Sequence, residues 1–180
     1  QSGLPEDHPS LQKAADWLLS KEVRHRGDWF VKNPYPECSG WAFEFNNIFY
    51  PDVDDTVKAL LALRLMKASD EELQATVMER SFRWALSFQC KEGGFAASDK
   101  DVTKPWLEKV PFSDHNAILD PPCSDITGRM LEYIGKADYP IDPKVLKRIL
   151  DYIKTTQEPD GSWYGRWGVN YIYGTWPALR

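Results

Sequence analysis

The stretch 152–163, YIKTTQEPDGSW, closes an amphipathic run with a turn and a large aromatic residue. Two other stretches end in the same way, WLLSKEVRHRGDW over 17–29 and WALSFQCKEGGF over 84–95. Their terminal aromatics, Trp29, Phe95 and Trp163, lie 66 and 68 residues apart, which makes a degenerate internal repeat. Gly27, Gly94 and Gly161 stand one or two places before them, where a tight turn calls for backbone conformations that other residues resist. The three rings are expected to close the turns and tie helices together.

Outward from these turns the apolar residues follow a helical period. Over 10–22, Leu11, Ala14, Ala15, Leu18 and Leu19 share one face behind Ser10, an expected N-cap. The run 55–68 is apolar nearly all round and reads as a helix buried on several sides. The run 70–90 has a polar face, with Asp70 or Ser69 as cap and Glu71 and Glu72 at the positive helix end, and is expected to lie outside. A short mixed helix is expected over 124–136, and an amphipathic one over 142–157 with Pro143 at its first position. No strand is expected. Buried and amphipathic helices thus alternate in hairpins, and the fold class is all-α, part of an α/α toroid. Such a ring needs roughly six hairpins, and this chain supplies about half of them. A further segment starts near Tyr171 just before the closing YGTWPALR. Residues 1–180 are therefore expected to form one partial α/α-barrel domain of a longer protein.

Composition narrows the function. The net charge is −5 and the Lys and Arg residues are scattered, so no basic stripe offers itself to nucleic acid. Cys38, Cys90 and Cys123 fit neither a disulfide framework nor a zinc spacing, and are expected as free, buried thiols in a reducing compartment. His8, His25 and His115 have no partner at ligand spacing and are expected on the surface or in loops. No run approaches the roughly 20 apolar residues of a membrane span, and no signal peptide is apparent. Trp, Tyr and Phe number eight each, and so many rings call for a chemical or structural role.

The chemistry-bearing stretch is GWAFEFNNIFYPDVDDT, 40–56, in which Asp52, Asp54 and Asp55 stand between an aromatic run and an apolar helix. Like charges so close repel one another when ionised. One reading is purely structural, since Asp residues before a helix cap its free amides and meet its positive end. A calcium loop starting at Asp52 fails, because its twelfth position is Leu63 and no glycine follows Thr56. A magnesium-diphosphate motif fails as well, because Lys58 stands where the last Asp belongs.

That stretch, with DPPCSDITGRMLE over 120–132 and QEPDGSWYGRWGVNYIYGT over 157–175, resembles squalene-hopene cyclases, which are class II terpene cyclases. The resemblance covers essentially the whole chain and rests on the Asp-x-Asp-Asp motif combined with the Gln-to-Trp repeats. It implies that Asp54 protonates the terminal double bond of squalene, with Asp52 and Asp55 as companions. An alkene is a feeble base, so the acid must be strong and yet protonated at rest; neighbouring carboxylates hold its proton on, and a nearby cation stabilises the anion left behind. Some members of the family carry a histidine four residues after the position of Asp125, where this chain has Arg129. Arginine supplies the charge and relays no proton, which leaves reprotonation to water or Tyr173. Arg129 also has a plain reading as a surface ion-pair residue.

The resemblance further implies an aromatic cavity in which Phe43 stabilises the migrating cation and Trp41, Trp167 and Tyr173 line the substrate. Ser98 departs from the pattern, since the family has an aromatic there. No metal and no organic cofactor is implied. The parent enzyme is expected to be intracellular, peripheral on the membrane and homodimeric, with squalene or a related linear polyprene as partner and hopene or hopanol-type triterpenes as products. Two other readings stay open. One is a non-catalytic α/α repeat domain that binds a partner. The other is an α/α-barrel glycosidase, with Asp125 or Glu44 as a distant second carboxylate.

Overall fold

Among the described residues, six α-helices and one two-stranded ribbon form. They are α1 (Pro9–Ser20), β1 (Trp41–Ala42), β2 (Pro51–Asp52), α2 (Val53–Leu63), α3 (Glu71–Leu86), α4 (Ser124–Lys136), α5 (Pro143–Thr155) and α6 (Asn170–Leu179). The computed structural model describes residues 3–34, 36–44, 46–102, 104–111, 118–137 and 139–180. His115 lies outside them. Two compact units share the chain: Gln1–Phe30 with Pro34–Ser87, and Val31–Asn33 with Phe88–Arg180.

In the first unit α2 is the core helix, burying Val53, Thr56, Val57, Ala59, Leu60 and Leu63. It packs on α3, a helix that buries Val77, Phe82, Trp84 and Ala85. α1 contributes Ala15 fully, while Ala14, expected on the same face, is exposed. The cap of α1 is His8, whose Nδ1 accepts from the Ser10 amide at 3.2 Å, because Pro9 takes the first helical position and Ser10 falls inside. The ribbon was not foreseen: Trp41 pairs with Asp52 and Ala42 with Pro51, and two residues per strand are too few to show an alternating pattern.

The helix ends differ from the periodic runs because side chains take the terminal amides and carbonyls. α2 starts at Val53, ahead of the expected residue 55, as Asp52 Oδ1 accepts from the Asp55 amide at 2.8 Å. It stops at Leu63, short of residue 68, where buried Gln74 intervenes. Gln74 Nε2 donates to the Leu63 and Met66 carbonyls at 2.9 and 2.8 Å, and its Oε1 accepts from the Ala68 amide at 2.8 Å. α3 is capped by Asp70 and ends at Leu86 rather than Cys90, with Ser87 Oγ donating to the Trp84 carbonyl at 2.5 Å. α5 ends at Thr155 rather than residue 157, since Thr156 Oγ1 turns back to the Tyr152 carbonyl at 2.8 Å.

In the second unit α4 is buried almost all round, over Ser124–Met130 and at Glu132 and Tyr133. It packs against α6 at a backbone approach: a methyl on Gly128 would stand 2.5 Å from the Pro177 carbonyl oxygen. α5 lays Ile149, Tyr152 and Ile153 inward. Glu132 is held by Lys136 and, at 2.9 Å, by Arg180.

Three aromatics, Trp41, Phe95 and Trp163, share one kind of backbone bond. The amide of each donates to a threonine hydroxyl on the following helix: Trp41 to Thr56 at 3.0 Å, Phe95 to Thr127 at 2.9 Å, Trp163 to Thr175 at 3.0 Å. The indole N–H of Trp41 reaches the Leu18 carbonyl at 2.8 Å and that of Trp163 the Ile153 carbonyl at 2.7 Å. Both carbonyls belong to the third-last residue of their helix. Phe95 has no N–H to offer, and in its hairpin the equivalent Trp84 carbonyl is the one that Ser87 satisfies. Trp29 is buried but plays another part, edge-on to Trp84 with ring centres 5.5 Å apart. Of the three turn glycines only Gly161 has the positive φ expected, +90°; Gly27 and Gly94 are required by close approach, 2.2 Å from the Phe49 oxygen and 2.7 Å from the Tyr152 ring to a would-be Cβ. The conformational role beside Gly94 falls to Gly93, at φ +100°.

Candidate active site

The acid cluster belongs to the first unit. The β1–β2 pairing brings Asp52 against Trp41, and the cap bond to Asp55 places Asp54 and Asp55 in the first turn of α2. All three carboxylates are partly buried. Burial above all, then the charges of Asp55 and Asp54, pushes Asp52 well above the usual carboxylate range, although the Asp55 amide works the other way. The cluster is thus arranged to keep a proton that isolated carboxyls would lose. In the chain between the two strands, Phe43 is 83% exposed and Phe49 59%. Trp41 is buried, with both its N–H groups engaged.

Asp125, Arg129, Trp167 and Tyr173 come together in the second unit. Asp125 is buried in the first turn of α4, its Oδ1 accepting from the Ile126 amide at 3.2 Å and its Oδ2 from the Trp167 amide at 2.9 Å. This bond ties the loop before α6 to α4. Arg129, one turn further on, is only 6% exposed, which removes its reading as a surface ion-pair residue. Its guanidinium lies 5.2 Å from the centre of the Tyr173 ring. Gly168 makes room for that ring, since a Cβ there would stand 2.3 Å from it. Trp167 is 37% exposed, and the Arg166 guanidinium lies 5.7 Å from the centre of its ring.

Sequence reasoning passed over Asp120. Its Oδ2 accepts from the Ser98 and Asp99 amides at 2.5 and 3.3 Å, and burial raises its pKa against those bonds. Ser98, the expected gap in the cavity wall, is therefore pinned by a buried carboxylate. The signal was the Asp-Pro-Pro triplet, which holds Asp120 ahead of α4.

Cys38, Cys90 and Cys123 are free and buried, and desolvation lifts the Cys38 thiol to about 12. His8 is taken up as a helix cap and His25 is exposed. Among the described residues no group of three His, Cys, Asp or Glu side chains is placed to hold a metal ion, and no helix is long and apolar enough to cross a membrane.

Comparison with known protein families matches residues 1–180 to the squalene-hopene cyclase C-terminal domain. A squalene–hopene cyclase of Alicyclobacillus acidocaldarius is 44% identical over 174 residues, covering 97% of this chain and 28% of that protein. A dammaradiene synthase of Dryopteris crassirhizoma is 44% identical over 188 residues, covering 99% of this chain and 27% of that protein. Sporulenol synthase of Bacillus subtilis is 40% identical over 181 residues, covering 99% and 28%. The chain spans little more than a quarter of the length of these relatives. With an end-to-end match on helical hairpins of the expected kind, the chain belongs to the squalene-hopene cyclase family.

Proposed function

We propose that the chain is the acid-bearing part of a class II terpene cyclase that converts squalene, or a related linear polyprene, to hopene or hopanol-type triterpenes. The observation that carries this reading is the raised Asp52 in a three-carboxylate cluster at the head of a buried helix. Such a cluster stores a proton above the usual carboxylate range and titrates as a unit. Asp54 delivers that proton to the inner, hydrogen-bearing carbon of the terminal double bond, leaving a tertiary carbocation at the dimethyl-substituted end carbon and a carboxylate. Successive double bonds then attack the cation and close rings. Loss of a proton gives the alkene product; capture of water gives the alcohol. Water or Tyr173 returns a proton to the carboxylate.

Each remaining residue takes a role that its chemistry fits. Arg129, buried and permanently charged, favours the anionic state of the acid and relays no proton. Asp125 fixes the loop that carries Trp167. Phe43, Trp167 and Tyr173 offer ring faces that stabilise positive charge without attacking it, each worth about 0.5–2 kcal/mol. Trp41 backs the cluster. Protonation, ring closure and proton loss or water capture are redox-neutral overall, so the proposed path requires no metal or organic cofactor. Squalene is nearly insoluble in water and resides in lipid, which supports a whole enzyme that works peripherally at the membrane surface; its homodimeric state is proposed from the family resemblance alone.

The test is incubation of the full-length enzyme with squalene in detergent, with and without Asp54→Asn, read by product mass spectrometry. Polycycles that vanish with Asp54→Asn support the reading. Polycycles that persist return the three Asp residues to the role of helix cap.

A further inference from the structure

We infer that Thr56 is a positioning residue, whose one hydroxyl holds Asp52, Asp54 and Asp55 in register with β1. The inference rests on the reading of these carboxylates as the proton source. Four links close a ring around the cluster. Trp41 pairs with Asp52 across the ribbon, Asp52 Oδ1 accepts from the Asp55 amide at 2.8 Å, Asp55 precedes Thr56 in the chain, and Thr56 Oγ1 accepts from the Trp41 amide at 3.0 Å. The last link is out of water, with Thr56 at 0% and Trp41 at 5% exposure. It is also tightly fitted, because a methyl on Gly40 would come within 2.6 Å of the hydroxyl.

Removing the acceptor leaves the Trp41 amide buried without its partner, a state that folded proteins avoid by moving. The ribbon then separates from α2 and water reaches Asp52. The titratable groups facing Asp52 are Asp55 and Asp54 of α2, and β1 opposite offers Trp41 and Ala42, neither of which titrates. The hydroxyl therefore acts on the acid through burial. The same amide-to-threonine bond at Thr175 lies in a hairpin without an acid cluster, which gives the matched control.

The experiment measures kcat and KM against pH for the full-length enzyme carrying Thr56→Val, Thr56→Ser or Thr175→Val. A proton donor works only while protonated, so activity falls on the alkaline side as the cluster ionises. In Thr56→Val kcat is expected to fall by about tenfold to a hundredfold with KM little changed, and the alkaline limb to move to lower pH. Thr56→Ser, which keeps the acceptor, restores both, and Thr175→Val leaves the limb in place. A limb unmoved by Thr56→Val, or moved equally by Thr175→Val, overturns the inference. If Thr56→Val does not fold, Gly40→Ala presses on the same hydroxyl and carries the same expectation and the same refutation. Asp54→Asn separates the two readings. Cyclisation that survives it sinks the acid assignment whatever Thr56 does, whereas silence with an unmoved Thr56→Val limb sinks the positioning role alone.

Discussion

Asp52 carries a cost that can be measured. Its pKa in the folded protein lies above the ordinary value of 3.8, so the folded state binds more protons than the unfolded one. The contribution of this group to stability is complete below pH 3.8, declines as pH rises through the folded value, and above that is a standing penalty. Asp52→Asn keeps an acceptor for the Asp55 amide and removes the charge. Thermal unfolding of the variant is expected to be less sensitive to pH above 4, with a higher Tm than the parent at neutral pH; an unchanged slope would show that Asp52 ionises freely. Arg129 offers a complementary test. Arg129→His has a cation that disappears near about pH 6.5, so its cyclase activity is expected to be best below that pH and to decline above it, and a flat profile would deny the arginine its electrostatic role. The cluster itself was plain in the sequence, because its three carboxylates are near neighbours in the chain. That burial and both neighbouring charges bear on Asp52 was not, since its partnership with β1 crosses an irregular loop.

Among the elements, helices were legible wherever an apolar stripe ran for three turns, as in α3 and α5, and their ends were not. Periodicity describes a face, while an end is set by a single side chain arriving from elsewhere. Gln74 shows this best: three hydrogen bonds from α3 terminate α2, and nothing in the run 55–68 announces it. Gln74→Leu is expected to lower stability by about 2 kcal/mol and to fray the end of α2, measurable by denaturant unfolding and by faster hydrogen exchange at residues 63–68. Likewise Gly128→Ala, with a backbone carbonyl 2.5 Å from the new methyl, is expected to force α4 from α6 at about 1–3 kcal/mol. A Tm equal to the parent's would mean that α6 yields without cost. The repeat was legible as a family of phrases ending at Trp29, Phe95 and Trp163. The amide-to-threonine bond is a second feature, which in the first hairpin falls at Trp41, and no phrase announces it.

At the scale of the molecule, the chain is a little more than a quarter of the relatives it matches, and each of its two units carries some of the proposed site residues. The all-α class was readable from one sequence because amphipathic helices announce themselves, whereas the division into two units depends on contacts that no local pattern encodes. For the whole enzyme, attachment at the membrane surface is expected to be reversed by mild detergent, with the released protein sizing as a dimer; release by salt alone would place the attraction in charge instead of apolar contact. The threonine bonds have one more consequence. In all three hairpins the residue two places before the bonded threonine is a candidate for chemistry: Asp54 before Thr56, Asp125 before Thr127, Tyr173 before Thr175. Two residues turn a helix through about 200°, so a hydroxyl anchored to the turn aims its second predecessor the opposite way. The anchor is an address, repeated three times, at which evolution or an engineer can exchange the reacting group while the hairpin that presents it stays the same.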